Sequence, residues 1–372
     1  MKQTLLSHYT KLALLFAISA LTSEARTIYV DQRIGNNEWT GVTAEPKDGD
    51  GPLSSPGVAV NRAKPGDVIF VVPDSGPYYG VIRPKQSGEP GKPITVEGNG
   101  NEFNLYPEDP QSGWNRLGGG AWLFKQMYRE DANPEREAGK VQGFYKGKPL
   151  IYFYGPGTPP PLYSVTHHDD GRPVIHLPPE ARPPFKDLVM VNHPSSSVVR
   201  MQNVSYWHFK NMHIRGAGND GFNWHGEGKG HVIENCTAMF CGDEGSSAHG
   251  NMEVTVKNTI FAFNGSGTGG VVDIAESKTS YINCISAFNR DVGFRMREGG
   301  VHLLRDTLAA GNERLSGSEE LLEKTTTENF VQYPDEPGVW EKIKAWNPDH
   351  PTLPVLEDVV EKLKASGSER TF

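Results

Sequence analysis

Four glycines recur at intervals of 24 residues, and this spacing constrains the fold more than any other feature of the chain. A repeat of this length is too short for a pair of helices, but it fits three short strands with their turns, the content of one coil of a parallel β-helix. A column of glycines predicts a recurring turn that needs either positive φ or a close backbone approach. The column consists of Gly221, Gly245, Gly269 and Gly293.

A second column, of asparagines, supports the same frame. Its members recur at spacings of 24, 23 and 25 residues, and asparagine tolerates the left-handed conformation that a tight turn requires. We therefore expect stacked turn asparagines that form hydrogen bonds from coil to coil. The column consists of Asn211, Asn235, Asn258 and Asn283.

The cysteines fit the same frame. Cys236 and Cys284 follow column asparagines two coils apart. At the strand spacing of a sheet this separation is roughly 10 Å, which is too far for a disulfide. We expect buried thiols at these positions and leave a link between Cys236 and Cys241 open.

The strand after each glycine alternates between apolar and polar side chains. Trp224 is expected to face the core, since successive side chains of a strand point to opposite faces. On the other face, coils that stack roughly 4.8 Å apart would place titratable side chains in one vertical row. This row, our main candidate site, consists of His225, His249, Asp273 and Arg297.

Three carboxylates lie in the turns before two of the glycines. Asp220, Asp243 and Glu244 on successive coils would be close enough for like-charge repulsion to raise one pKa, as a general acid requires. Glycoside hydrolysis uses such a set, because one carboxyl group protonates the leaving oxygen while another activates water. Acidic residues before glycine are also common in turns, so a purely structural role stays open.

β-Elimination from a uronate polymer is the other chemistry that this face could support. Arg295 and Arg297 would bind the uronate carboxylate, since guanidinium groups pair with carboxylates in bidentate fashion. His225 or His249 would serve as the base, because histidine titrates near neutral pH. The two histidines with Asp273 also form a known metal-ligand set, although a solvated polar row explains them as well. We assign no metal ligand and leave calcium open as a cofactor.

Two stretches of the chain resemble known families. Residues 27–100 and 204–315 resemble secreted right-handed parallel β-helix proteins of the pectin-lyase-like kind. Within the second stretch, three elements are similar, in the same order, to the Asn-Thr-Asp-Gly, Gly-Asp-Asp and Arg-Ile-Lys elements of the polygalacturonase family. These elements are Asn219-Asp220-Gly221, Gly242-Asp243-Glu244 and Arg295-Met296-Arg297.

The resemblance to polygalacturonases implies roles for these residues. Asp220, Asp243 and Glu244 would share the acid and base duties, and Arg295 and Arg297 would bind a carboxylate of the substrate. The family's Gly-His-Gly element corresponds to residues 267–269, which read Gly-Thr-Gly and lack the histidine.

Composition divides the chain into five segments. Residues 1–25 are typical of a signal peptide, because a short apolar run precedes small residues, and no other segment is apolar enough to span a bilayer. We predict an all-β, right-handed parallel β-helix with an N-terminal capping helix and an inserted subdomain. The remaining segments are the cap and first coils (26–105), an inserted aromatic- and proline-rich β subdomain (106–199), the coils with the candidate site (200–315) and a C-terminal capping tail (316–372).

The net charge of −8 argues against a nucleic-acid partner. We expect a secreted or periplasmic monomer whose partner is an acidic polysaccharide. The leading hypothesis is an enzyme, either a lyase or a glycoside hydrolase, that cleaves a uronate-containing polysaccharide by β-elimination or by inverting hydrolysis. The alternative is a non-catalytic polysaccharide-binding or envelope protein.

Overall fold

The computed structural model describes residues 25–105, 107–108, 113–124, 142–146, 148–152, 159–168, 172–191, 196–265, 269–297, 299–322 and 324–365. The predicted signal peptide lies outside the described residues, except for Ala25. Within these ranges, no helix is long and apolar enough to cross a membrane.

The N-terminal part contains short strands and one short helix, as predicted for a cap. Proline occupies the first position of the helix, where its missing N–H would have no helical partner in any case. The helix buries Ala59 and Val60 against the first two strands. The elements are β1 (Thr27–Val30), α1 (Pro56–Val60), β2 (Val68–Val71), β3 (Tyr78–Tyr79), β4 (Ile94–Glu97) and β5 (Glu102–Asn104).

A separate eight-stranded sheet lies within residues 106–199, the range predicted for the inserted subdomain. Most of its strand pairs are antiparallel, and Trp114, Trp122 and Tyr145 pack around Phe185 in its own core. Its strands are β6 (Pro107–Glu108), β7 (Trp114–Gly118), β8 (Ala121–Phe124), β9 (Gln142–Tyr145), β10 (Lys148–Tyr152), β11 (Ser164–His167), β12 (Pro173–His176) and β13 (Leu188–Val191).

The coils resume after this insert and continue with short strands separated by tight turns. They comprise β14 (Val199–Gln202), β15 (Trp207–Lys210), β16 (His213–Arg215), β17 (Phe222–His225), β18 (Glu227–Glu234), β19 (Thr237–Met239), β20 (Ser246–Ala248), β21 (Asn251–Lys257), β22 (Ile260–Ala262), β23 (Val271–Asp273), β24 (Lys278–Ile282), β25 (Ile285–Ala287), β26 (Phe294–Met296), β27 (Val301–Asn312) and β28 (Thr325–Pro334).

Corresponding strands of successive coils pair in parallel and form three faces around an apolar core. Sheet A contains β1, β2, β4, β15, β18, β21, β24 and the first half of β27. Sheet B contains β3, β5, β16, β19, β22, β25 and the second half of β27. Sheet C contains β14, β17, β20, β23 and β26. The fold is the predicted right-handed parallel β-helix.

The glycine column marks a close backbone approach and not a left-handed turn. A Cβ atom on Gly221 would lie 2.7 Å from the carbonyl oxygen of Gly245, and one on Gly293 would lie 2.7 Å from Cβ of Ala309. The third member differs from the prediction, because the strand register aligns Gly270 with Gly245. The coil before β23 is therefore one residue longer than the regular spacing implied.

The left-handed turns of the asparagine column are confirmed, and its last three members form the expected hydrogen bonds. Asn211, Asn235, Asn258 and Asn283 have φ between +50° and +54°. The side-chain amide of Asn258 donates to Oδ1 of Asn235 at 3.0 Å, and that of Asn283 donates to Oδ1 of Asn258 at 2.9 Å. The three cysteines are free and buried, so the link left open between Cys236 and Cys241 is absent.

The residues after 315 differ from the prediction of an end cap. The coils continue, because β28 pairs with β27 from Thr325 to Pro334. Two helices follow, α2 (Val339–Trp346) and α3 (Leu353–Ala365), and their apolar sides join the buried cluster on the outer face of sheet B. The tail therefore covers the side of the solenoid, where the outward residues of sheet B are apolar.

Candidate functional site

The candidate site lies on the outer face of sheet C. Side chains of its central row alternate with core residues along each strand, so they point away from the core. The parallel register stacks one such side chain per coil. In order, the row contains Arg200, Asn223, Ser247, Val272 and Arg295.

The prediction that Asp273 belongs to the outward-facing row is wrong. The register pairs Asp273 with Ala248 and Met296, which both lie in the core, so its side chain points inward. Its buried carboxylate accepts hydrogen bonds from Oγ1 of Thr279 at 2.7 Å and from the hydroxyl of Tyr281 at 2.9 Å. The extra residue in the preceding coil is the cause, because a slip of one residue exchanges the two faces of a strand.

The structure brings His225 and His249 together, as predicted. Their rings are stacked, with centroids 4.4 Å apart and an interplanar angle of 6°. Oγ of Ser247 lies 2.7 Å from Nε2 of His249. Burial and the nearby charge of Arg200 lower the pKa of His225, while burial and the charge of His225 lower the pKa of His249 to about 4. Both imidazoles are therefore neutral near pH 7 and able to accept a proton.

The structure also brings the three predicted carboxylates together, in the turns that lead from sheet B to sheet C. One oxygen each of Asp220, Asp243 and Glu244 lies within 4.8 Å of the other two, and all three side chains are buried. The carboxylate of Asp220 accepts hydrogen bonds from the side-chain amides of Asn219, at 2.9 Å, and Asn223.

Burial and crowding change the protonation of Asp220. Burial raises the pKa of Asp220 to about 6, and the negative charge of Asp243 acts in the same direction. Asp243 also raises the pKa of His249 against the larger effect of burial, which shows that the carboxylates and the imidazole pair are electrostatic neighbours. Asn223, which donates to the carboxylate of Asp220, lies on the same strand as His225, so the two groups belong to one site.

The predicted substrate-binding arginines occupy different environments. The guanidinium of Arg295 is nearly buried and forms an ion pair with Asp291, which also binds Arg314. Arg297 is exposed one residue beyond β26. Arg200, which the sequence analysis missed, lies at the first position of the central row and close to His225. Arg200 lies only 23 residues before Asn223, so the regular 24-residue frame would have assigned it to the core face.

The carboxylate cluster has the donor chemistry of a site for a hard cation. Calcium binds oxygen ligands at about 2.3–2.6 Å, so oxygens on opposite sides of the ion lie about 5 Å apart. The oxygens of Asp220, Asp243 and Glu244 meet this limit, and buried carboxylates require a compensating positive charge. The other set considered, His225 and His249 with Asp273, is not assembled, because Asp273 faces the core.

One comparison with known proteins, a family-model match, supports the fold. A family model described as a right handed β-helix region matches residues 197–314, and no curated protein sequence matches the chain. The chain is similar to the structure of XylC in complex with xylose, with 13% identity, a TM-score of 0.48, and 82% of this chain and 64% of XylC covered. It is similar to pectate lyase Pel9A, with 15% identity, a TM-score of 0.33, and 83% and 80% of the two chains covered.

A third similar structure is that of a glycoside hydrolase, with 9% identity, a TM-score of 0.37, and 87% and 98% of the two chains covered. The chain spans less than two thirds of the length of XylC. The sheet topology and the family-model match agree at the level of architecture. The chain is a right-handed parallel β-helix protein.

Proposed function

We propose that the protein cleaves an acidic, uronate-containing polysaccharide by β-elimination on the outer face of sheet C. One observation carries this proposal: the oxygens of Asp220, Asp243 and Glu244 cluster within 4.8 Å beside the stacked, neutral pair of His225 and His249. The carboxylate cluster can bind a cation, and the imidazole pair can supply a general base.

The spacing of the carboxylates argues against inverting hydrolysis. Inverting glycosidases hold their two carboxyl groups about 6.5–9.5 Å apart, which leaves room for the attacking water. The carboxylate oxygens here approach within 4.8 Å of one another. Asp220 is only 1% exposed, so it has little access to a polymer on the surface. We therefore assign these residues to binding a cation and not to direct proton transfer.

In this proposal, Asp220, Asp243 and Glu244 would hold a calcium ion. The ion would supply positive charge that favours binding of a uronate carboxylate and offsets negative charge as the proton leaves. The hard carboxylate oxygens, their mutual distance and their burial support this assignment.

We assign the base to His225. Nε2 of His249 interacts with Ser247, whereas the ring of His225 forms no hydrogen bond to a described residue. A lowered pKa keeps the imidazole of His225 unprotonated, so its free nitrogen can take the proton beside the uronate carboxylate. The electron pair left on that carbon forms a C=C double bond, the glycosidic C–O bond breaks, and the leaving oxygen takes a proton from solvent water. His249 supports the ring of His225 by stacking.

The exposed guanidinium of Arg297 and the half-buried one of Arg200 are assigned to uronate carboxylates along the polymer. They lie at opposite ends of the sheet C face, on either side of the imidazole pair. Arg295 instead fixes the turn through Asp291.

The decisive experiment incubates the protein with a panel of acidic polysaccharides and follows ultraviolet absorbance of unsaturated products together with reducing ends. We expect both signals to rise with calcium and to stop with a chelator. Reducing ends without absorbance would show hydrolysis and overturn the proposal. Silence on every acidic polymer would instead favour the non-catalytic binding protein.

Variants test the assigned residues. We expect His225→Ala to lower kcat about 10²- to 10⁴-fold, the usual contribution of a general base. We expect Glu244→Gln to raise the calcium concentration needed for activity. His208→Ala, on the outer face of sheet A, is the matched control and should retain full activity. Equal losses in His208→Ala and His225→Ala would contradict the assignment.

A further inference from the structure

A second polar groove lies next to the proposed site, past the turn that follows sheet C. It has a volume of about 480 Å³ and opens at the edge where sheet C turns into sheet A. We call it the edge groove. Its lining includes Asn203, Ser205, Glu227, Lys229, Glu253 and Lys278.

The edge groove is continuous with the imidazole pair along the chain. Glu227 follows His225 by two residues, and Asn251, another lining residue, follows His249 by two residues. Between them lie glycines with positive φ, such as Gly226 at +82°, which turn the chain sharply from one sheet into the next. A polymer that contacts the histidines can therefore pass directly into this groove.

A β-bulge builds the groove. The register of β18 against β21 pairs Gly228 with Met252 and His231 with Val254, so two residues of β18 oppose one of β21. A Cβ atom on the second of these, Gly230, would lie 2.5 Å from the ring of Tyr206. Bulges of this kind redirect side chains, and this one aims Lys229 at the groove.

Two ammonium groups in the groove are uncommitted. Neither Lys229 nor Lys278 forms an ion pair with a described carboxylate, although Glu227 and Glu253 share the same lining. Lys210, elsewhere on sheet A, is by contrast paired with Glu234 at 3.0 Å. The groove therefore offers free cations together with carboxylate and amide acceptors for hydroxyl groups.

We propose that the edge groove binds further units of the same acidic saccharide, beyond those that contact the sheet C face. Lys229 and Lys278 bind uronate carboxylates, and Glu227, Glu253 and Asn251 accept hydrogen bonds from sugar hydroxyls. Its volume falls within the range of small-ligand sites, about 300–1,000 Å³. This inference rests on the proposed polysaccharide substrate but not on the cleavage chemistry.

The test measures binding in a His225→Ala background, so that cleavage does not consume the ligand. Calorimetry with oligogalacturonates and oligomannuronates, from disaccharide to hexasaccharide, should show affinity that rises with length. Adding Lys229→Ala and Lys278→Ala should weaken hexasaccharide binding about 10-fold, since each exposed ion pair contributes up to about 1 kcal/mol, and should leave the disaccharide unaffected.

Lys210→Ala is the matched control, because its ammonium is already paired on the same sheet. Unchanged hexasaccharide affinity in the double lysine variant would overturn the proposal, as would failure of every acidic oligosaccharide to bind. Length-dependent binding that needs both lysines, in a protein that cleaves nothing, would sustain the groove and reject only the elimination chemistry.

Discussion

The side chain of Asp220 is a buried carboxyl group whose pKa is shifted by its surroundings. It is 1% exposed, and two further carboxylates share its surroundings. Burial raises its pKa to about 6, so a proton resides there at pH values where a surface aspartate is ionised. A bound cation would favour the ionised carboxylate and so lower the pKa of Asp220.

Stability should therefore depend on pH and on calcium in a coupled way. Because the folded-state pKa of Asp220 exceeds that of an unfolded aspartate, the native state binds more protons between about pH 4 and pH 6, and its contribution to stability falls as the pH rises through this window. The loss amounts to about 2–3 kcal/mol without calcium. We expect calcium to stabilise the protein at pH 7 and to have little effect at pH 4.

Denaturant unfolding of the parent and of Asp220→Asn, with calcium or chelator, measures this effect. The difference between the two proteins isolates Asp220 from His231 and His249, whose lowered pKa values give stability that rises with pH instead. Glu89→Gln, an exposed change, serves as the control. Equal calcium stabilisation at pH 4 and pH 7 would contradict the cation assignment.

Asp273 shows what the sequence could and could not settle at this scale. The pairing of His225 with His249 and the meeting of Asp220 with Glu244 followed from a constant repeat. The orientation of Asp273 did not follow, because the alternation of apolar and polar residues assigns side chains to a face only when the first residue of the strand is known. Nothing in the local pattern of residues 267–273 marks the extra residue, since Gly269 and Gly270 both fit the column.

Among the elements, the turn that leads into sheet C is held by close packing. The column glycines lie where the backbone of one coil meets side chains of sheet B. At Gly293, an added methyl group would lie 2.7 Å from Cβ of Ala309 and 2.9 Å from Nδ2 of Asn312. The second of these is a buried amide that cannot move without breaking its own hydrogen bonds.

We expect Gly293→Ala to lower the free energy of unfolding by about 1–3 kcal/mol, the usual effect of overpacking a core. Gly317→Ala is the control, because the nearest atom to its new methyl group is an oxygen of Glu320 at 3.4 Å. Its effect should stay within about 0.5 kcal/mol. Urea titration compares the two, and equal midpoints would show that the column tolerates a side chain.

At the scale of the whole molecule, the C-terminal helices complete the solenoid from its side. The outward positions of sheet B carry apolar residues such as Met239 and Ile260, and helix α3 buries them with Leu356 and Val360. The 3.6-residue periodicity of the tail predicted the helix, but it held no information about which surface the helix would cover. The apolar outer face of sheet B determines where the helix packs.

Removing one anchor of helix α3 should loosen this cover. We expect Leu356→Ala to cost about 2–5 kcal/mol and to increase binding of a dye that reports exposed apolar surface. Glu357→Ala, its exposed neighbour, should change neither property. Thermal unfolding followed by dye fluorescence measures both properties. A Leu356→Ala protein with the parental melting temperature and no dye binding would show that the tail is not needed to cover sheet B.

The asparagine column has a polarity that explains where the tail attaches. The amides of Asn258 and Asn283 each donate to the asparagine of the preceding coil, which leaves Oδ1 of Asn283 open to a donor from the next coil. The next position in the column is Asp306, which has no side-chain amide and whose carboxylate accepts a hydrogen bond from Asn329. The donor to Asn283 comes instead from Asn347, in the link between the two C-terminal helices, at 2.9 Å. Because Asp306 has no side-chain N–H to donate, the segment between the two C-terminal helices supplies this hydrogen bond and packs against the column there.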